Sequence, residues 1–241
     1  MRPKTERPIF LNAILTNGRE QVMIGNRLRM KLPRVYPILD TESLARHDIS
    51  IETAAASLLE GGAGILQIRH KQHWSRAVFD AARTVGRLCR EAGAELIVND
   101  RADFALLLEA GLHVGQDDLS PRDARMLLGR AAAIGFSSHN PAQLCAAGGE
   151  PVDYVALGPV FGTRSKQNPD PVVGVEEVRR SRALVDKPLV AIGGITLANA
   201  LEVLRAGADS VALIAGLLPD VVTAQSLRKR MEEWNQLAKA A

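Results

Sequence analysis

The chain has 241 residues, 46% of them hydrophobic and 24% charged, enough to bury one large core or two small ones. Its formal net charge is only +3, the basic residues are scattered and aromatics make up 4%, which argues against a nucleic-acid platform of stacked rings and clustered cations. No apolar run approaches the length of a membrane span, and Ile9 to Leu15 is interrupted by Asn12 and followed by charges, so it does not read as a secretory leader.

Residues 1–30 show no convincing period and contain Pro3, Pro8, Gly18 and Gly25, so they read as a flexible N-terminal tail. Met30 directly precedes the first organised segment, and the natural domain is expected to begin about there, as a single domain over 31–241. Val35 to Leu39 is a strand candidate ending at Asp40, although Pro37 lies within it. Ser50 then caps a helix whose apolar positions are Ile51, Ala54, Ala55, Leu58 and Leu59, one helical face. Ile65 to Ile68 is the second strand. The next helix carries Val78, Ala81, Ala82, Val85, Leu88 and Cys89 on one side and stops at Gly93. Cys89, and Cys145 further on, read as core thiols of a reducing compartment, so a cytoplasmic enzyme is the expected class.

Leu96 to Val98 is a short apolar strand ending in Asn99 and Asp100. A helix over Ala102 to Ala110 is expected to stop at Gly111, in a left-handed end. Leu112 to Val114 follows, ending in Gly115, Gln116, Asp117 and Asp118. Then come a helix over Pro121 to Leu128, a strand over Ala132 to Phe136, a helix over Pro141 to Ala147 and a strand over Tyr154 to Leu157. After a long polar loop the alternation resumes with a helix over Val175 to Leu184 and a strand over Leu189 to Ile192. Thr196 reads as the cap of a helix ending at Ala206, Val211 to Ile214 is the eighth strand, and a last helix shows Leu227, Met231 and Trp234 on one face. Eight short, nearly continuous apolar strands alternating with helices in about 210 residues point to a (β/α)8 TIM barrel. A doubly wound sheet is the runner-up, but no glycine-rich dinucleotide fingerprint follows the first strand.

In such a barrel the chemistry sits at the carboxyl ends of the strands. Those ends supply Gln67, Arg69 and Lys71; Asn99 and Asp100; Gln116 and Asp118; Ser137 and His139; Thr163, Ser165 and Lys166; and Gly193 with Gly194. Asp100 and Asp118 would face one crevice and suit a hard cation such as Mg²⁺ shared with substrate phosphates; as single residues they also read as helix caps. Arg69, Lys71 and Lys166 are what a metal-bound polyphosphate needs, and the glycine pair offers backbone N–H groups to a second phosphate. His113 reads as a hydrogen-bonded core residue. His70 and His73 lack a third ligand, so zinc is rejected.

Six segments, Q-I-R-H-K (67–71), N-D (99–100), H-V-G-Q-D-D (113–118), G-F-S-S-H (135–139), G-P-V-F-G-T-R-S-K (158–166) and A-I-G-G-I (191–195), resemble in order and spacing the thiamine-phosphate synthase family. The resemblance covers roughly Tyr36 to Leu218 and implies a transferase that joins a hydroxymethylpyrimidine diphosphate to a thiazole phosphate. It implies that Gln67, Arg69, Lys71 and Asn99 bind the pyrimidine diphosphate and that Asp100 and Asp118 hold Mg²⁺. Ser137 would meet the pyrimidine and Lys166 the pyrophosphate. Thr163, Ser165, the Gly194 backbone, Ile214 and Ala215 would hold the thiazole phosphate. Arg69, Lys71, Ser137 and Lys166 would carry the catalysis. His70 departs from a usual Glu and Ala215 from a common Ser. The helix between Asp100 and His113 is one residue short of the family pattern. The alternatives are a thiazole tautomerase using His139, or a non-catalytic phosphate binder. The partners expected are the two phosphorylated small molecules, with no nucleic acid or membrane and with a homodimer as the state to test.

A chain beginning at Met30 is expected to keep its fold and activity, because the preceding residues carry no periodic apolar face. Loss of folded protein on that truncation, followed by circular dichroism, would contradict the reading of a dispensable tail.

Overall fold

The computed structural model describes residues 32–163 and 170–241 in full, and the backbone alone for 13–16, 19–24 and 27–30. The chain divides into a unit over Met1–Lys31 and a second over Leu32–Ala241. In the first unit β1 (Ala13–Thr16), β2 (Arg19–Ile24) and β3 (Arg27–Met30) pair antiparallel in sequence order. The pairings Thr16 with Arg19 and Ile24 with Arg27 leave two residues at each connection.

The second unit is a closed barrel of eight parallel strands. These are β4 (Val35–Asp40), β5 (Ile65–Arg69), β6 (Glu95–Asn99), β7 (Gly111–Val114), β8 (Ile134–Ser138), β9 (Tyr154–Leu157), β10 (Leu189–Ile192) and β11 (Ser210–Leu213). Around them run α1 (Thr41–Ala45), α2 (Ile51–Glu60), α3 (Arg76–Glu91), α4 (Ala102–Leu107), α5 (Pro121–Leu128), α6 (Pro141–Gly148), α7 (Gly174–Arg182), α8 (Ala200–Arg205) and α9 (Ala224–Ala238). The expected TIM barrel is therefore the fold. Pro37 sits in a strand paired on both sides, opposite Leu213 of β11, so proline did not end it.

Alternation along each strand divides the labour. Leu66 and Ile68, Leu96 and Val98, Val155 and Leu157, and Val211 and Leu213 point outward into the core shared with the helices. The residues between them, including Tyr36, Gln67, Asn99, His113, Ser137 and Ala156, line the interior cavity. Ser50, Ser75, Ser120, Asn140 and Thr223 accept backbone N–H bonds at the starts of α2, α3, α5, α6 and α9. On α9, Leu227, Met231 and Trp234 are buried as their spacing predicts.

Three local expectations are corrected, and one element was not foreseen. The helix after β6 is shorter than expected. Its left-handed residue is Glu109, at φ 53°, while Gly111 opens β7. Gly111 is needed for space, since a Cβ there would stand 2.4 Å from Ile97 Cδ1. Thr196 does not cap α8, which starts after Asn199. The Asn199 side chain accepts from the Thr196 N–H and donates to Gly194 O, spending itself on the turn. Cys145 is exposed while Cys89 is buried, because the inward face of α6 is formed by Leu144 and Ala147. The short α1, capped by Asp40, had no periodic signal of its own.

At the end of the barrel away from the strand carboxyl termini, two Asp–Arg pairs lock strand starts. Asp153 accepts from the Ile134 N–H at 2.8 Å and from Arg125 at 2.6 Å, and Asp209 accepts from the Leu189 N–H and Arg182 in the same manner. Arg125 also donates to the carbonyls of Gly129, Ala132 and Pro151. Arg125→Ala is therefore expected to cost about 1–3 kcal/mol of stability, because it strands several carbonyls and one carboxylate. A urea midpoint unchanged from the parent chain would contradict this.

Candidate active site

The strand carboxyl ends open into a cavity of about 760 Å³. Gln67, Arg69, Lys71, Asn99, Asp100, Asp118, Ser137, Thr163, Gly194, Ile214 and Ala215 all line it, so the fold gathers eleven of the thirteen expected site residues on one surface. Ser165 and Lys166 lie outside the described residues. Gln116 is not among the lining residues, and its amide donates instead to Ser137 O.

Successive strands bring the charges in. Arg69, at the end of β5, is held by Asp40 at the end of β4, where the two residues stand opposite in register. Asp40 is buried, and it also accepts from the Ser43 N–H and hydroxyl, so its carboxylate is fully engaged and fixes the guanidinium. Sequence reasoning noted Asp40 only as a strand end. The available signal was the segment D-T-E-S at 40–43, an acid placed to cap a helix that opens directly after a strand.

Lys71 pairs with Asp100 at 2.5 Å. Asp100 has φ 64°, a left-handed conformation that Asp tolerates better than most residues, and its N–H is tied to His113 O at 2.8 Å. Burial raises its carboxyl above the usual range, Lys71 pulls the other way, and the neighbouring Asp118 carboxylate raises it again. Asp118 is itself steadied by the Gly115 N–H at 2.7 Å. Among the described residues no cluster of three or more His, Cys, Asp or Glu could hold a metal alone. Two carboxylates do meet here, and together they could hold a hard cation shared with a phosphate. Beside them the Asn99 side-chain amide nitrogen is buried with no hydrogen-bond partner among the described residues. A stranded donor of this kind costs free energy unless a ligand accepts from it.

Deeper in the barrel, polar side chains join. The Gln67 amide donates to the Tyr36 hydroxyl at 3.0 Å, the Tyr36 and Tyr154 hydroxyls are 2.8 Å apart, and His113 bridges Tyr154 (3.1 Å) to the Ser137 hydroxyl (2.8 Å). His113 is thus the hydrogen-bonded interior residue its sequence position suggested. The two tyrosines gave no sequence signal, since each simply looks like an apolar strand residue. Gly135 makes their arrangement possible: a Cβ there would lie 2.1 Å from the Tyr154 ring.

On the opposite wall Gly193 and Gly194 have φ of 101° and 63°, and a Cβ on Gly194 would meet Gly162 O at 2.5 Å. Both conformation and space require glycine, so the chain can expose backbone toward the cavity. His139 also lines the cavity, with Nδ1 2.8 Å from Gly158 O and 3.3 Å from the Asp170 carboxylate. His70 is held by the Thr41 hydroxyl and His73 O.

Known proteins resemble this chain over most of its length. A family model described as thiamine monophosphate synthase matches residues 35–217. The thiamine-phosphate synthase of Koribacter versatilis is 46% identical over 211 residues, covering 86% of this chain and 97% of that protein. The one from Laribacter hongkongensis is 42% identical, covering 76% and 86%. Among solved structures, the thiamine phosphate pyrophosphorylase of Pyrococcus furiosus superposes with a TM-score of 0.74 at 31% identity, over 86% of this chain and 96% of that one.

The carboxylate pair predicts its own titration. Asp118→Asn removes a like charge and is expected to lower the Asp100 pKa, whereas Lys71→Met is expected to raise it further. Because the folded value lies above the unfolded one, the contribution of Asp100 to stability is full at pH below the ordinary carboxylate range and is lost as pH rises through the folded value. Asp118→Asn should move that loss to lower pH. Side-chain carboxyl ¹³C shifts measure it, and an Asp100 titration unmoved by Asp118→Asn would mean the two acids do not share a site.

Proposed function

Because the chain belongs to the thiamine-phosphate synthase family of transferases, we propose that it condenses hydroxymethylpyrimidine diphosphate with hydroxyethylthiazole phosphate, giving thiamine phosphate and pyrophosphate. One observation carries the reading of the substrates. A single cavity has an end lined by Arg69, Lys71 and two carboxylates and a wall of glycine backbone, poles suited to a diphosphate and to a second phosphate.

In this reading the pyrimidine diphosphate lies along β5 and β6. Arg69, fixed by Asp40, and Lys71 take the phosphate charge, and Lys166 is assigned to the pyrophosphate from the family motif. The unpartnered Asn99 amide gains an acceptor. Asp100 and Asp118 would hold Mg²⁺, which would neutralise charge on the departing diphosphate. The C–O bond to the pyrimidine methylene breaks with both electrons leaving on pyrophosphate. The ring stabilises the resulting methylene cation, and the thiazole nitrogen donates its lone pair to form the new C–N bond. The thiazole phosphate would sit against Thr163, Ser165, Gly194, Ile214 and Ala215, where Ala215 offers backbone only. The residues therefore act by positioning two charged partners and stabilising a leaving group, with no side chain required as a base.

The test pairs a metal with a base. Thiamine phosphate formation is expected to vanish in excess chelator and to be nearly abolished in the Asp100→Asn, Asp118→Asn double variant, since each change removes a carboxylate ligand. Lys166→Ala should slow turnover on the order of a hundredfold. His139→Ala should be milder. The reverse order, with metal-independent activity on a thiazole carboxylate phosphate and a severe loss at His139, would assign a tautomerase instead.

A further inference from the structure

Five side chains from five different strands form one hydrogen-bonded chain across the barrel interior: Gln67, Tyr36, Tyr154, His113 and Ser137. Tyr36 and Tyr154 are 1% and 0% exposed, so water does not complete their bonding. Burial raises both phenol pKa values, which keeps each hydroxyl protonated at working pH.

The direction of the chain follows from counting hydrogens. The Gln67 amide nitrogen can only donate, so the Tyr36 oxygen accepts there and its single hydrogen goes to Tyr154. Tyr154, having accepted, has one hydrogen left and an acceptor in reach, His113 Nδ1 at 3.1 Å. A neutral imidazole whose Nδ1 accepts carries its proton on Nε2, which then donates to the Ser137 oxygen at 2.8 Å. Ring contacts hold the geometry: Tyr36 meets Tyr154 edge-on at 5.9 Å, and Tyr154 stacks on His113 at 5.6 Å.

We propose that this chain fixes His113 in the Nε2–H tautomer and makes it a positioning residue, which leaves the Ser137 hydroxyl hydrogen to donate into the cavity. The site then selects a ligand with a lone-pair acceptor at that point, such as an aromatic ring nitrogen; naming it a pyrimidine nitrogen rests on the synthase reading, whereas the tautomer does not. Were Gln67 turned to present its carbonyl to Tyr36, every bond would reverse and Ser137 would accept instead, favouring an amino group. The direction is therefore a specificity setting.

Histidine-selective ¹⁵N labelling tests it on the chain without substrate, with the resonance assigned by its loss in His113→Gln. An Nε2–H signal pattern for His113 is expected; an Nδ1–H tautomer or an imidazolium overturns the proposal whatever the protein catalyses. In Tyr154→Phe the ring stays but the donor to Nδ1 is gone, so the tautomers should mix. KM for the pyrimidine diphosphate should then rise by the inverse of the fraction left in the Nε2–H form, about twofold for an even mixture, with KM for the thiazole phosphate unchanged. Added to Ser137→Ala, the same change should cost nothing further in KM, because the oriented donor is already absent. Additive losses would overturn the positioning role. Failure of the parent chain to form thiamine phosphate would instead strike the synthase reading and leave the tautomer measurement standing.

Discussion

The constraint on which this structure depends is the two-residue alternation of a strand inside a closed parallel barrel. Each strand is bonded on both sides, so it has no free edge and every side chain must point either to the helices or to the axis. The outward set, such as Leu66, Val98 and Leu157, is apolar and joins the helix faces into one core. The inward set is thereby released from packing duty near the carboxyl ends. That is where Gln67, Asn99, His113 and Ser137 sit within strands that otherwise look continuously hydrophobic.

Electrostatics then organises the mouth of the cavity. Neither cation at the end of β5 stands alone: Arg69 rests on Asp40 and Lys71 on Asp100. Asp40 is buried and engaged by three donors, so it acts as a fixed anchor. Asp100 is different, because burial and the Asp118 charge both work against its ionised form. A site in which two carboxylates stand together and one amide donor has no partner among the described residues is costly as it stands. At the other end of the barrel the Asp153–Arg125 and Asp209–Arg182 pairs are spent on strand starts, a stabilising arrangement rather than a receptive one.

The sequence by itself determined the repeat of strand and helix over the barrel, the count of its strands, and the set of chemically capable residues at the strand ends. It could do so because apolar periodicity and polar strand termini are local signals, read from neighbours a few residues apart. Its errors are also local-signal errors. Thr196 looked like a cap, yet Asn199 outcompeted it from within the turn. Cys145 lay on an apparent apolar stripe but falls outside the buried Leu144–Ala147 face.

What only the tertiary structure decided are relations between residues far apart in the chain. Tyr36 and Tyr154 are 118 positions apart, and nothing in either strand shows that their hydroxyls meet or that Gly135 vacates the space they need. The grip of Asp40 on Arg69 and the mutual influence of Asp100 and Asp118 likewise exist only once parallel strands are placed in register. The physical reason is that packing period is written along the chain, whereas hydrogen-bond direction and carboxylate repulsion depend on distances that closure of the barrel alone sets.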